Sequence, residues 1–181
     1  MKEVIILGLG PSKDECPYDA EVWALNDCHR FAKRIDKLFV TDGWGEFGAD
    51  GVNELSEAKH KFGCEIVAAS KHDGLNVTLY PIEEIIKHFR TQFFSNTVCY
   101  MIAYALLLGY KKLRFYGIDM LTHTSYIAEK GAVEFWMGVA KGMGVEVINT
   151  KTSATGKTTT GKLYGEWGDK TDKIKALVRG I

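Results

Sequence analysis

Seven short runs of aliphatic, β-branched or aromatic residues punctuate the chain: Val4–Leu7, Val22–Leu25, Leu38–Thr41, Glu65–Ala68, Val77–Leu79, Leu113–Tyr116 and Val145–Ile148. Each is bounded by Gly, Asn, Asp or Pro and reads as a strand. Several are apolar at consecutive positions, the pattern of strands covered on both faces of a parallel sheet. Between them, apolar residues recur at spacings of three and four. Pro81 suits a first helical position, Glu83 and Glu84 suit the positive end of a helix, and Ile82, Ile85, Ile86, Phe89 and Phe93 predict a helix to about Thr91. Ser95-Asn96-Thr97 supplies caps for a largely buried helix through Val98, Met101, Ile102, Ala105 and Leu106, stopped by Gly109. Ala132, Val133, Trp136, Val139, Ala140 and Met143 mark a third helix ended by Gly142 or Gly144, and Asn53–Phe62, ended by Gly63, a fourth. This alternation predicts a doubly wound α/β fold, a mostly parallel sheet with helices on both faces, in a single domain over residues 1–181. Lys151–Lys162 is rich in Thr, Gly and Lys without hydrophobic period and reads as a mobile loop, followed by a short helix near Asp172–Arg179.

Composition narrows the partners. Of 181 residues, 23 are basic and 23 acidic, so the formal net charge is zero. That removes the clustered positive charge by which nucleic-acid binders neutralise phosphates. The longest apolar run, Val98–Leu108, is far below the roughly 20 residues of a membrane span. Met1–Leu7 runs into glycines without a small-residue cleavage site, which reads as a strand and leads us to expect a cytoplasmic protein. Cys16, Cys28, Cys64 and Cys99 are scattered with no C-x-x-C, as expected of reduced core thiols and not of a metal or redox site.

The chemistry concentrates where strands end. The first strand runs directly into Gly8-Leu9-Gly10-Pro11-Ser12, whose glycines allow a sharp turn close to a ligand and whose helical start offers N–H groups to an anion. Lys13 stands where a dinucleotide fingerprint needs its third glycine. Asn26 and Asp27 end the second strand, where such folds hold a ribose, although both types also cap turns locally. Asp42 ends the third strand and reads as a turn residue. Neither glycine-lysine pair of the Lys151–Lys162 segment completes a phosphate loop, since Lys151 and Leu163 stand at required positions. His123, in a polar stretch after Gly117-Ile118-Asp119, is the histidine best placed for acid-base work, whereas His29, His60, His72 and His88 read as surface residues.

The order Val4-Ile5-Ile6, Gly8-x-Gly10-Pro11-Ser12, Asn26, Ser95–Tyr100, Ala105–Lys111 and Gly117-Ile118-Asp119 resembles the sialyltransferase-like Rossmann group over roughly residues 1–150. That group contains bacterial lipooligosaccharide sialyltransferases, motility-accessory-factor glycosyltransferase-like proteins and archaeal hydroxymethyl-dihydropterin pyrophosphokinases, with short members typical of phage and prophage genomes. The resemblance implies a nucleotide or nucleotide-sugar donor, a CMP-type donor being favoured, held by Gly8, Gly10, Pro11, Ser12, Asn26, Ser95, Asn96 and Thr97, and the strand ends add Asp27 and Asp119 as candidate binding residues. It implies a metal-independent, glycosyltransferase-like group transfer. The alternatives are a magnesium-dependent pyrophosphokinase-like enzyme using Asp119 and Asp42, or a non-catalytic phage structural or interaction protein. His123 and Tyr126 are the expected acceptor-side catalytic groups, in a Thr122–Lys130 loop that would close over the cleft with Lys151–Lys162. Leu9 replaces the group's polar residue, the acceptor lid is short, and no counterpart of the group's basic membrane-associating tail is expected. Small-molecule donor binding without a nucleic-acid or membrane partner is expected, and self-association into a homo-oligomer is left open.

Overall fold

A computed structural model describes the backbone of residues 1–120 and 124–157, with side chains for 1–120 and 128–157. Seven strands, β1 (Glu3–Leu7), β2 (Glu21–Leu25), β3 (Lys37–Val40), β4 (Glu65–Ala68), β5 (Thr78–Leu79), β6 (Lys112–Tyr116) and β7 (Glu146–Asn149), form one sheet. Their order is β5-β4-β3-β2-β1-β6-β7, and every pairing is parallel. All seven strands lie where the apolar runs predict them. The described helices are α1 (Trp44–Phe62), α2 (Ile82–Phe89), α3 (Thr97–Leu107) and α4 (Thr124–Gly142).

The consecutive apolar residues of each strand divide between two cores. Val4, Ile6, Trp23, Phe39, Leu113 and Phe115 pack with α2, α3 and α4, while Ile5, Leu7, Val22, Ala24, Leu38 and Val40 pack with α1 on the other face. Period-two side-chain alternation on a sheet covered on both sides produces this division. Helix α3 is buried at Val98, Met101, Ile102, Ala105 and Leu106, as its apolar face requires. The four cysteines are all buried and unpaired. Burial pushes the Cys28 thiol up to about 12.

Three helix boundaries differ from the sequence pattern. Helix α1 begins at Trp44, well before Asn53, and is broken at Gly48, whose φ of 60° is left-handed. Gly45, Gly48 and Gly51 hide this first part from any propensity argument. Helix α2 stops at Phe89, where Arg90 takes a left-handed cap, and Phe93 lies beyond it. Helix α4 begins at Thr124, so most of the stretch expected to be a loop at Thr122–Lys130 is helical. The good helix formers Ala128, Glu129 and Lys130 and a 2.7 Å ion pair from Lys130 to Glu134 favour that start.

The position of β1 matters for function. From it the chain steps outward through β2, β3, β4 and β5, then returns through α2 and α3 to β6 on its other side. The loops leaving β1 and β6 therefore diverge, which opens a crevice at the carboxyl ends of the strands.

Candidate functional site

A cleft of about 460 Å³ occupies that crevice. It is lined by Gly8, Leu9 and Gly10 after β1, Leu25 and Asn26 at β2, Asp42 after β3, Ser95–Val98 at the start of α3, Gly117–Met120 after β6, and Glu129 of α4. Thus Gly8, Gly10, Asn26, Ser95, Asn96, Thr97 and Asp119 are brought together although they span most of the chain. Pro11, Ser12 and Asp27 do not line it. Asp27 is exposed and stands 3.6 Å from Arg30.

The glycine turn is built differently from the expected anion cradle. Gly8 N–H donates to Tyr116 O and Gly10 N–H to Gly117 O, both at 2.8 Å. Ser12 N–H donates to Asp119 Oδ2 at 2.9 Å, and Gly117 N–H donates to Ser12 Oγ at 2.8 Å. Pro11 has no N–H to offer. From Gly8 to Ser12, only the Leu9 N–H has no partner among the described residues. The glycines are needed for close approach of the two loops: a Cβ on Gly8 would stand 2.6 Å from Gly117 O, and one on Gly10 2.9 Å from the same oxygen. Backbone amides expected to hold a ligand instead clasp β1 to β6, and Ser12 and Asp119, both 3% exposed, are the pins of that clasp.

Open donors lie at α3. Asn96 caps this helix, its Oδ1 accepting the Cys99 N–H at 3.2 Å. The Thr97 and Val98 N–H groups have no partner among the described residues, and they face the cleft at a helix end that carries roughly half a positive charge. Thr97 Oγ1 is 2.8 Å from Thr41 Oγ1, which fixes the α3 start against the end of β3.

Opposite chemistry gathers at Asn26, held in a left-handed turn at φ 40°. Its Nδ2 donates to Asp42 Oδ2 at 2.9 Å, while its buried Oδ1 has no hydrogen-bond partner among the described residues. Asp42, read from sequence as a turn residue, is therefore a member of the cleft. His29, read as a surface residue, is 8% exposed and places Nδ1 3.0 Å from Asn26 O, behind the turn. A larger hollow of about 650 Å³ beside His29 is lined by Arg30, Glu54, Glu57, Ala58 and Lys61, with Arg30 paired to Glu54 at 2.7 Å.

Leu25, Val98 and Met120 are cleft residues that the sequence reading does not name, and Glu129 enters it only as part of the Thr122–Lys130 stretch expected over the cleft. Glu129 Oε2 accepts from Asn96 Nδ2 at 3.0 Å, and its backbone oxygen accepts from Ser95 Oγ at 3.2 Å. No local pattern could join residues 33 positions apart.

The described part of the expected mobile loop is tied down. Ser153 and Thr155 are buried and share a 2.7 Å hydrogen bond. Ser153 Oγ donates to Ile118 O at 2.9 Å, Ala154 N–H to Asp119 O at 2.9 Å, and Gly156 N–H to Glu134 Oε1 at 2.7 Å. The Ser153 hydroxyl thus bonds to the loop after β6, and Thr155 Oγ1 accepts from Asn149 Nδ2 at 3.0 Å, where both looked like solvated loop residues. His123, the Tyr126 side chain, residues 158–162 and the C-terminal helix near Asp172–Arg179 lie outside the described residues. No described helix is long and apolar enough to cross a membrane.

No protein-family model matches the sequence, and no curated protein matches it. Solved structures do. The sialyltransferase CstII of Campylobacter jejuni, in complex with the substrate analogue CMP-3FNeuAc, is 20% identical with a TM-score of 0.58, covering 82% of this chain and 80% of that one. The α-2,3-sialyltransferase of the same organism in apo form is 17% identical with a TM-score of 0.55, covering 99% and 95%. CstII with a trisaccharide acceptor and CMP gives 18% identity and a TM-score of 0.53 over 82% and 80%. The chain thus shares the α/β fold of these sialyltransferases.

Proposed function

We propose that this protein is a glycosyltransferase-like transferase that binds a nucleotide-sugar donor of the CMP type in the cleft beyond β1, β2, β3 and β6. The observation that carries the reading is the meeting, in one cleft, of the unpartnered α3 N–H groups with the unpartnered amide oxygen of Asn26. The first is a site for a phosphate; the second, with Asp42, is a site for hydroxyl or amino groups of a nucleoside. The fold shared with CstII, solved with CMP-3FNeuAc and with CMP, supports the choice of donor.

Transfer from such a donor breaks the bond between the sugar and the phosphate oxygen, so negative charge grows on the leaving phosphate. The Thr97 and Val98 N–H groups are the donors available to that charge, and each such preorganised donor contributes on the order of 3 kcal/mol to the transition state. Leu9 N–H is a third candidate. Asp119 is engaged with Ser12 and Asp42 with Asn26, which favours this route over a magnesium-dependent phosphoryl transfer that would use both carboxylates as ligands. Ser95, Asn96 and Thr97 shape the phosphate end, and His123 and Tyr126 are proposed to contact the acceptor.

A thermal-shift panel of CMP, UDP, ADP, ATP and NAD tests the reading. CMP at one hundred times its dissociation constant should stabilise the fold by about 2.7 kcal/mol, and turnover of a CMP-linked sugar should survive chelation. Absence of any shift with CMP would contradict it.

A further inference from the structure

We propose that Glu129 is the base that takes the acceptor's proton, an inference that rests on the donor reading above. Three carboxylates line the cleft: Asp42, Asp119 and Glu129. Asp119 is buried, with Oδ2 on the Ser12 N–H and Oδ1 3.4 Å from Thr152 Oγ1, and it serves the β1–β6 clasp. Asp42 is exposed and joined to Asn26, the nucleoside end of the cleft. Glu129 stands instead at the phosphate end, because its Oε2 is bonded to the residue that caps α3. The reacting carbon of a nucleotide-sugar is attached to that phosphate, so the acceptor must approach from the same end.

Two hydrogen bonds fix Glu129, one to its side chain from Asn96 and one to its backbone oxygen from Ser95. Oε1 has no partner among the described residues. A carboxylate at the cleft wall with one oxygen anchored and the other unpartnered among the described residues is oriented without being spent, which is what a general base requires. In the step, the acceptor O–H proton passes to Glu129 Oε1. The acceptor oxygen forms its bond to the anomeric carbon, the bond from that carbon to the phosphate oxygen breaks, and its electron pair leaves with CMP. Glu129 then returns the proton to solvent. Water as acceptor gives hydrolysis by the same course.

The test compares wild type with Glu129→Gln, Glu129→Ala and His123→Ala, reading CMP affinity by calorimetry and CMP release from a CMP-linked sugar. Glu129→Gln keeps an oxygen for Asn96, so CMP affinity should stay within about threefold while kcat falls 100-fold or more. Formate should restore part of the rate to Glu129→Ala but none to Glu129→Gln, a response that a purely structural residue would not give. Wild-type kcat in Glu129→Gln overturns the proposal, as does a large loss confined to His123→Ala. A wild-type protein that binds no CMP sinks the donor reading and this role with it, whereas CMP binding with an inert Glu129 substitution sinks only the role.

Discussion

Asp119 and Ser12 are 107 residues apart in sequence, and the buried Asp119 carboxylate accepts the Ser12 N–H at 2.9 Å. Ser12 returns the contact by accepting the Gly117 N–H on Oγ. The pair closes the loop after β1 onto the loop after β6, and the cleft lies in front of this closure. Asp119→Ala leaves a buried N–H without an acceptor and should destabilise the protein by about 1–3 kcal/mol, read from the urea midpoint at unchanged slope. Asp119→Asn keeps an acceptor oxygen and should lose markedly less. Equal losses for the two would show that shape, not the hydrogen bond, matters there.

The same closure makes a prediction for glycine. Gly8→Ala should destabilise the protein, because its Cβ would meet backbone at Gly117 O, which cannot swing aside as a side chain could. Gly131→Ala, on the exposed face of α4 with no atom within 4 Å of its Cβ, should instead stabilise it by roughly 0.5–1 kcal/mol. Thermal denaturation of both variants checks the contrast. The effect of Gly131→Ala also reports whether this part of α4 is helical in solution.

Asn26 combines a backbone role with a proposed binding role, and two substitutions separate them. Asn26→Gly accepts the φ of 40° without strain but removes the amide. It should keep full stability and weaken CMP binding at least tenfold. Asn26→Ala should lose binding and also about 1 kcal/mol of stability, since a Cβ without a compensating side chain disfavours this conformation. Calorimetry and urea unfolding on both variants provide the comparison. Unchanged CMP affinity in both would remove Asn26 from the site.

The sheet edge carries the clearest acid dependence. Burial alone would raise the Glu65 carboxyl, but hydrogen bonds from Lys37 and Thr78 outweigh it and hold the group below the usual carboxylate range. A depressed carboxylate stabilises the fold above its unfolded value and loses that contribution as pH falls through its folded value. Stability should therefore decline with pH below about 4.3, the ordinary value for Glu, and Glu65→Gln should flatten the decline. A variant with an unchanged slope would place the acid sensitivity elsewhere, for example at Asp19, which its hydrogen bond to Arg114 also holds low.

The strands were legible because a sheet covered on both faces writes itself as consecutive apolar residues, and α3 because Asn96 and a long apolar face mark it. Part of the cleft was legible for the same reason: Gly8, Gly10, Asn26 and Asp119 sit at strand ends, and strand ends converge in a parallel sheet. Local spacing could not tell which N–H groups stay open. The Gly8–Ser12 turn looks like an anion cradle until β6 is placed beside it, and its amides are then occupied by Tyr116, Gly117 and Asp119. The Thr122–Lys130 stretch was expected over the cleft, but Glu129 could not be singled out within it, since its partners Ser95 and Asn96 lie at the start of another helix. Ser153 and Thr155 looked solvated because hydroxyl-rich composition is the same whether the hydroxyls face water or a neighbouring carbonyl.

The most direct measurement is a backbone amide NMR titration with CMP. Thr97, Val98, Leu9 and Asn26 should show the largest shift changes, saturating together with one affinity, while the amides of Gly8, Gly10 and Ser12, whose hydrogen bonds stay within the clasp, should move less. Largest changes at His29, Arg30 and Glu54 instead, around the second hollow, or no saturable change at all, would contradict a nucleotide site at the start of α3.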